Sequence, residues 1–122
     1  MKVEVNVTES FKKAARPLIK RYRSFVDDLA VLETELLAQP KLGSSLGGNI
    51  YKVRMRIASK GKGKSGGARV ISLLHHRERK AAGAGMLTVV NLLTVYDKSD
   101  QVSVSDAELK RLVMDLQDGS VK

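Results

Sequence analysis

The segment Asn49–Ile71 reads NIYKVRMRIASKGKGKSGGARVI, and its pattern decides how the rest of the chain is organised. From Ile50 to Ala58 the residues alternate, with apolar side chains on one side and cations on the other. Because a period of two is the strand period, this stretch predicts a strand with one apolar face and one cationic face. The cationic positions are Lys52, Arg54 and Arg56.

A glycine-rich stretch, Ser59–Gly67, follows this strand and carries three more cations. Glycines let a backbone approach a ligand closely. From Leu36 through Arg77 the chain has nine Lys or Arg residues and neither Asp nor Glu. A cationic strand face beside such a loop predicts polyanion binding, and the alternative is a solvated hairpin tip. The three lysines of the stretch are Lys60, Lys62 and Lys64.

Composition bounds the class of protein. A chain of 122 residues with 43% hydrophobic residues predicts one globular domain, residues 1–122. Its net charge of +9 favours nucleic acid, an anionic surface or an acidic protein as partner. The absence of cysteine fits a reducing compartment, and no run approaches the roughly 18 apolar residues of a membrane span. We therefore expect a soluble cytoplasmic protein with no membrane partner.

The chain before Asn49–Ile71, the organising segment, predicts one strand and two helices. The first strand alternates valines with polar residues, and both helices have apolar residues at helical spacing. Pro17 is expected to kink or divide the first helix, and the short join predicts an antiparallel helical hairpin. The predicted elements are a strand at Lys2–Thr8, a helix at residues 10–23, a helix from Ser24 to Pro40 and a loop at Lys41–Asn49.

The chain after the organising segment predicts two strands joined by a polar turn, and then a helix. The second of these strands is apolar on both faces, as a central strand would be. The predicted elements are strands at Ala68–His76 and Met86–Tyr96, a turn at Arg77–Gly85 and a helix from Ser105 to Gly119. The fold class is therefore α+β, a mainly antiparallel four-stranded sheet with its helices on the apolar face and the cationic face open.

Strand connectivity predicts that distant cations meet. In an antiparallel meander Arg56 and Arg69 lie at the same end of the sheet, and the following strand returns Tyr96, Asp97 and Lys98 to that end. The expected result is a concave cationic patch with one phenol and one carboxylate at its rim. Arginine can bind two phosphate oxygens at once, and a tyrosine ring can stack on an unpaired base.

Such a patch fits the cleavage of RNA by attack of the ribose 2′-hydroxyl on its own phosphodiester. That reaction uses a base, cations for the phosphorane and an acid for the leaving 5′-oxygen, and it needs no metal or other cofactor.

Two other motifs do not predict a site. His75 and His76 point to opposite faces of a strand and cannot bind one metal together, and Gly63-Lys64-Ser65 lacks the glycine and the helix of a P-loop.

The ordered segments YKVRMR, KGKGKSGGARVI, LLTVYDKSD and SDAELKRL resemble the RelE/HigB-type toxins of bacterial toxin–antitoxin modules, from Phe11 to Leu112. The segment KGKSGGARVI followed by VYDKSD is similar to a HigB-like branch. The resemblance implies a RelE-like fold, ribosome-dependent cleavage of mRNA in the 16S rRNA decoding site, and neutralisation by a cognate antitoxin. It is compatible with a dimer or a toxin–antitoxin hetero-oligomer.

The resemblance also implies roles for single residues. Lys52 and Arg54 match strand positions that engage RNA, Arg69 matches an arginine that stabilises the scissile phosphate, and Lys98 stands where RelE itself has a catalytic arginine. RelE uses a tyrosine near its C-terminus as base, whereas residues 99–122 here contain neither Tyr nor His. Tyr96, Asp97 or electrostatics alone stay open as the replacement.

The residues assigned to RNA cleavage are Arg54, Arg69, Tyr96 and Lys98, and those assigned to RNA binding are Lys52, Arg56, Lys60, Lys62 and Lys64. Two alternative functions remain: a ParE-like inhibitor of DNA gyrase on the same fold, and a non-catalytic module that binds RNA or the ribosome.

Overall fold

The computed structural model describes residues 2–61, 63–78 and 85–121, and this part of the chain forms a five-stranded sheet with three α-helices. In chain order the elements are β1 (Lys2–Val7), α1 (Glu9–Arg21), α2 (Phe25–Ala38), β2 (Ser44–Gly47), β3 (Ile50–Met55), β4 (Ala68–Glu78), β5 (Met86–Asp97) and α3 (Asp106–Val121). The strands lie side by side in the order β1-β5-β4-β3-β2. The α+β class and the meander of β3, β4 and β5 are confirmed.

The prediction of a mainly antiparallel four-stranded sheet is wrong, because the sheet has a fifth strand among the described residues and is mixed. The fifth strand, β2, lies within the predicted loop and pairs antiparallel with β3. Gly47, Gly48 and Asn49 all have positive φ angles, which suit the tight turn of a β-hairpin. The mixed character comes from β1, which runs parallel to β5. Asn6 supports that register by donating to the Asn91 side chain at 2.8 Å.

The first two helices begin and end near their predicted bounds. Thr8 caps α1 by accepting the Phe11 N–H at 3.2 Å, and α2 ends before Pro40. Pro17 lies inside α1, so the proline does not divide the helix. The two helices follow each other closely, yet α1 packs mainly on β5, while α2 packs on β1 and β3.

The third helix differs from its prediction at its end and in its position. Ser105 caps it by accepting the Glu108 N–H at 3.1 Å, but the helix continues past Gly119 to Val121. It packs on the sheet face opposite to α1 and α2, against Ile71 and Leu93. The expected open face is therefore partly covered. The reason is that β5 is apolar on both sides, and both of its faces need a covering layer.

The larger core lies between the sheet and the first two helices. It contains Phe11, Phe25, Leu32 and Leu36 from the helices and Val53, Met55, Val70 and Val90 from the strands. The smaller core lies under α3. Among the described residues no helix combines the length and the apolar character that crossing a membrane would require.

The organising strand has the predicted two faces. Val53 and Met55 are buried, whereas Arg54 and Arg56 are exposed. The strand is shorter than expected, since it ends at Met55, and a single 3-10 turn follows at Ala58–Lys60. Residues 79–84 of the predicted turn between β4 and β5 lie outside the described residues.

The connection between β3 and β4 can pass close to the end of β3 because residue 67 is glycine. A β-carbon at Gly67 would lie 2.1 Å from the carbonyl oxygen of Met55, far inside contact distance. Glycine therefore lets the start of β4 pass directly beside the end of β3. In that position the Gly67 carbonyl accepts the Lys98 N–H at 3.2 Å, which joins the end of β5 to the same corner.

Candidate functional site

A row of residues crosses three adjacent strands. Arg54 on β3 lies opposite Arg69 on β4, and Arg69 lies opposite Tyr96 on β5. Directly opposed residues of neighbouring strands point to the same face of a sheet. The register therefore brings two arginines and a tyrosine from distant parts of the sequence into one line, beside α3.

A cleft of about 590 Å³ opens at the Arg54 end of this row. The loop before β2 forms one wall, and the residues after β5 form the other. Among the described residues, five cations line the cleft and no carboxylate does. These cations are Lys52, Arg54, Lys64, Arg69 and Lys98. The neutral lining residues are Leu42, Gly43, Ser44, Val53 and Val102.

Arg69 is the most unusual of these cations because it is buried, with 7% of its surface exposed. Its guanidinium donates to backbone carbonyl oxygens of Lys64, Ser65 and Ala68 at 3.1–3.3 Å. Within the described ranges, no carboxylate forms an ion pair with it. A buried charge without a counter-charge is costly, so the site attracts an anion.

The other cleft cations are more accessible. Arg54, Lys64 and Lys98 are exposed, and Lys52 is partly buried. Only Lys64 pairs with a carboxylate in the described part of the chain, through Glu35 on α2 at 2.8 Å. Lys98 is held through its backbone, since its N–H donates to Gly67. The cleft therefore presents an array of positive charge that few protein carboxylates neutralise.

Asp97 precedes Lys98 and lies on the other side of the strand, where its side chain is fully buried. The carboxylate accepts hydrogen bonds from Lys60 Nζ at 2.8 Å, from Arg21 at 3.2 Å and from the Tyr22 hydroxyl. Burial opposes ionisation, but the bonds from Lys60 and Tyr22 outweigh it and hold the pKa of the Asp97 carboxyl well below its usual range. Asp97 is therefore an ionised acceptor that faces away from the cleft.

Lys60 belongs to this buried cluster rather than to the exposed loop. Only 8% of its side chain is exposed, and its ammonium also donates to Ser99 at 3.0 Å. The sequence placed Lys60 with the RNA-binding cations, whereas the structure commits its charge to Asp97. No local sequence signal marks this pairing, because the two residues lie 37 positions apart.

Tyr96 reaches the row but does not line the cleft. Its ring packs with Ile71, Leu93 and Leu112 under α3, and its hydroxyl donates to the Val102 carbonyl at 3.3 Å. Burial raises the pKa of the Tyr96 phenol, and the charge of Arg69 only partly offsets it. The phenol is therefore neutral at physiological pH and holds the segment that contributes Val102 to the cleft wall.

Two of the remaining candidates lie outside the cleft. Arg56 is exposed after the end of β3 but is not among the lining residues. Lys62 lies outside the described residues. His75 and His76 lie toward the far end of β4, and His76 contacts Thr88 at 2.9 Å. No group of three or more metal-ligating side chains occurs in the part of the chain that the structure describes.

The cleft wall formed by Leu42, Gly43 and Ser44 was not predicted from the sequence. The turn residues Gly47, Gly48 and Asn49 are the signal that would have revealed it, since they predict a hairpin that brings this wall beside Lys52. Gly43 has a positive φ of 104°, and a β-carbon there would lie 2.4 Å from the Lys52 carbonyl oxygen. Glycine at this position therefore allows the wall to pack directly against β3.

Comparison with protein families identifies the family of this chain. A family model described as the RelE toxin of the RelE/RelB toxin–antitoxin system matches residues 4–118. The chain belongs to the RelE toxin family. RelE toxins are generally endoribonucleases that inhibit translation, and membership implies a RelB-type antitoxin as partner. For a RelE toxin, a cationic cleft at the corner of the sheet is the natural candidate for the site that meets RNA.

Proposed function

We propose that this RelE-family toxin is an mRNA endonuclease of the HigB-like branch that cleaves mRNA in the decoding site of the cytoplasmic ribosome. The observation that carries the proposal is the buried Arg69 guanidinium, which lacks a carboxylate partner within the described residues and lines a cleft of cations. A phosphodiester supplies the anion that this arrangement attracts. A cognate antitoxin would neutralise the toxin.

The residues of the cleft divide into two groups by position. Arg54 and Arg69 lie directly opposite each other on neighbouring strands and are placed to hold one phosphate between them. Lys98 reaches the same cleft from the end of β5. Lys52 and Lys64 lie along the cleft and are assigned to the flanking phosphates as point charges. We assign the scissile phosphate to Arg54, Arg69 and Lys98.

The proposed reaction is metal-independent. The ribose 2′-oxygen forms a bond to phosphorus and the bond to the 5′-oxygen breaks, which yields a 2′,3′-cyclic phosphate and a 5′-hydroxyl. The two arginines stabilise the charge that the phosphorane develops. The Lys98 ammonium is the proposed proton donor to the leaving 5′-oxygen, and the 2′-hydroxyl proton passes to solvent.

This assignment gives Tyr96 a supporting role. The lining residues that the structure describes include no Tyr, His or carboxylate, so the proposal places most of the rate enhancement in phosphorane stabilisation and in orientation. Tyr96 holds the wall segment through Val102, and Asp97 holds the turn that carries Lys98.

Mapping transcript 5′ ends after induction in a bacterial host tests this function. We expect an immediate block of translation and new 5′ ends at fixed positions within codons, which require translation of the transcript. Arg16→Ala is the matched control, because Arg16 is an exposed arginine of α1 that does not line the cleft. That variant should cleave like the wild type.

Two other outcomes would contradict the proposal. DNA damage with intact mRNA would indicate a ParE-like gyrase inhibitor. Ribosome binding with a steep salt dependence and no cut transcript would indicate a non-catalytic module.

A further inference from the structure

The buried cluster consists of Asp97 and the three side chains that donate to it, Arg21, Tyr22 and Lys60. None of the four lines the cleft, yet Asp97 directly precedes Lys98, which does. We propose that the ion pair of Lys60 and Asp97 is a positioning device that fixes Lys98, and through it the rate of RNA cleavage, without contacting RNA. This inference rests on the proposed function. It assigns to Lys60 a role different from that of the other lysines in its glycine-rich stretch.

Lys98 is fixed by its neighbours rather than by contacts of its own side chain. Asp97 is the last residue of β5 and its carboxylate is buried on one side, whereas Lys98 begins the following turn and lines the cleft. The Asp97 carboxylate also accepts the Ser99 N–H at 2.9 Å. The Asp97 carbonyl accepts the Asp100 N–H at 2.9 Å. These bonds close a turn around Lys98, so a shift of Asp97 moves Lys98 with it.

Lys60 is equally well anchored on the other side of the pair. Its 3-10 turn is held by the start of α2, where the Ala58 N–H donates to Asp28 and the Ser59 N–H donates to Ser24, both at 2.9 Å. The Lys60 ammonium then reaches both Asp97 and Ser99. It lies 5.7 Å from the centre of the Tyr22 ring, a distance suited to a cation–π contact. The pair therefore connects α2 to the turn that carries Lys98.

The same pair positions the glycine-rich loop. Lys60 fixes the start of the loop, and Arg69 fixes its end through the carbonyls of Lys64 and Ser65. Arg69 and Lys98 thus depend on the two ends of one short loop. A misplacement of about 1 Å can lower an enzymatic rate by about 100-fold. Loss of the pair should lower kcat rather than RNA affinity.

The test compares Lys60→Met with Lys64→Met. For each variant we would measure single-turnover cleavage of ribosome-bound mRNA, and the salt dependence of binding to a short RNA. Lys60→Met should lower the cleavage rate by about 10-fold or more and leave the salt slope of RNA binding unchanged. Lys64→Met should weaken RNA binding and reduce the salt slope by about 1, which corresponds to the loss of one phosphate contact. A reduced slope for Lys60→Met would make Lys60 an RNA contact and overturn the proposal.

A milder variant covers the case in which Lys60→Met does not fold. Tyr22→Phe removes only the hydroxyl that donates to Asp97 and changes no charge. It should lower the cleavage rate several-fold, which we set at roughly 3- to 10-fold for one lost positioning bond, with binding unchanged. A wild-type cleavage rate in folded Lys60→Met, or in Tyr22→Phe where Lys60→Met does not fold, would contradict the positioning role.

A spectroscopic readout separates this inference from the proposed function. A buried ammonium bound to a carboxylate exchanges its protons slowly, so Lys60 should give a protected ammonium signal in a ¹H–¹⁵N spectrum, and Asp97→Asn should remove it. If the wild type did not cleave RNA but gave this signal, the proposed function would fail and the ion pair of Lys60 and Asp97 would be supported. Absence of the signal in an active wild type would contradict the ion pair and leave the proposed function intact.

Discussion

We expect Arg69→Ala to restore growth to cells that express the toxin and to lower the rate of mRNA cleavage by about 100-fold or more. The reason is that Arg69 is buried, lines a cleft of cations and has no carboxylate partner among the described residues. A donor that is already fixed and desolvated stabilises the phosphorane without reorganising during the reaction. Single-turnover cleavage of ribosome-bound mRNA measures the effect.

Arg69→Lys separates charge from geometry. Lysine keeps the positive charge but cannot bind two phosphate oxygens through a planar fork, so we expect a smaller loss of about 10-fold. Urea unfolding of both variants should accompany the rates, because Arg69 also holds the loop carbonyls of Lys64 and Ser65. Full toxicity of a folded Arg69→Ala variant would remove Arg69 from the mechanism.

We expect Asp97→Asn to lower the free energy of unfolding by on the order of 3–5 kcal/mol. The substitution leaves the Lys60 ammonium, whose side chain is 8% exposed, without its counter-charge. Breaking a buried ion pair in this way costs far more than removing an exposed one. Urea denaturation at neutral pH measures the loss. Asp100→Asn is the matched control, because Asp100 is 53% exposed and also pairs with Arg21, and its loss should be much smaller.

The effect of Asp97→Asn should depend on pH in a defined direction. Folding lowers the pKa of the Asp97 carboxyl below the unfolded value of about 3.9, so ionised Asp97 contributes its full stability above that value. The contribution is lost as the pH falls toward the folded pKa. The difference in stability between wild type and variant should therefore be constant from about pH 5 to 8 and narrow below about pH 4. A difference that widened in acid would contradict this assignment.

The meander and its cationic corner could be predicted from sequence because both depend on local patterns. The alternation around Arg54 set which side chains share a face, and the antiparallel order of β3, β4 and β5 brought Arg69 and Lys98 to the same end. These two rules need no knowledge of distant contacts. They were sufficient to place Arg54, Arg69 and Lys98 in one cleft.

The parallel pairing of β1 with β5 could not be predicted in the same way. It joins segments more than eighty residues apart, and the valine pattern of β1 fits several partners. The position of α3 does have a sequence signal, since β5 is apolar on both sides and needs a covering layer on both. Lys60 had none, because a lysine among glycines gives no indication that it will meet Asp97 across the sheet.

Cleavage of mRNA that lacks one 2′-hydroxyl tests the central claim most directly. Ribosome-bound mRNA with a single 2′-deoxy nucleotide at the scissile position should resist the wild-type toxin, while the all-ribose mRNA is cut to a 2′,3′-cyclic phosphate and a 5′-hydroxyl. Equal cleavage of the two mRNAs at that position, or a product with a free 3′-hydroxyl, would contradict a cleft built to stabilise attack by the ribose on its own phosphate.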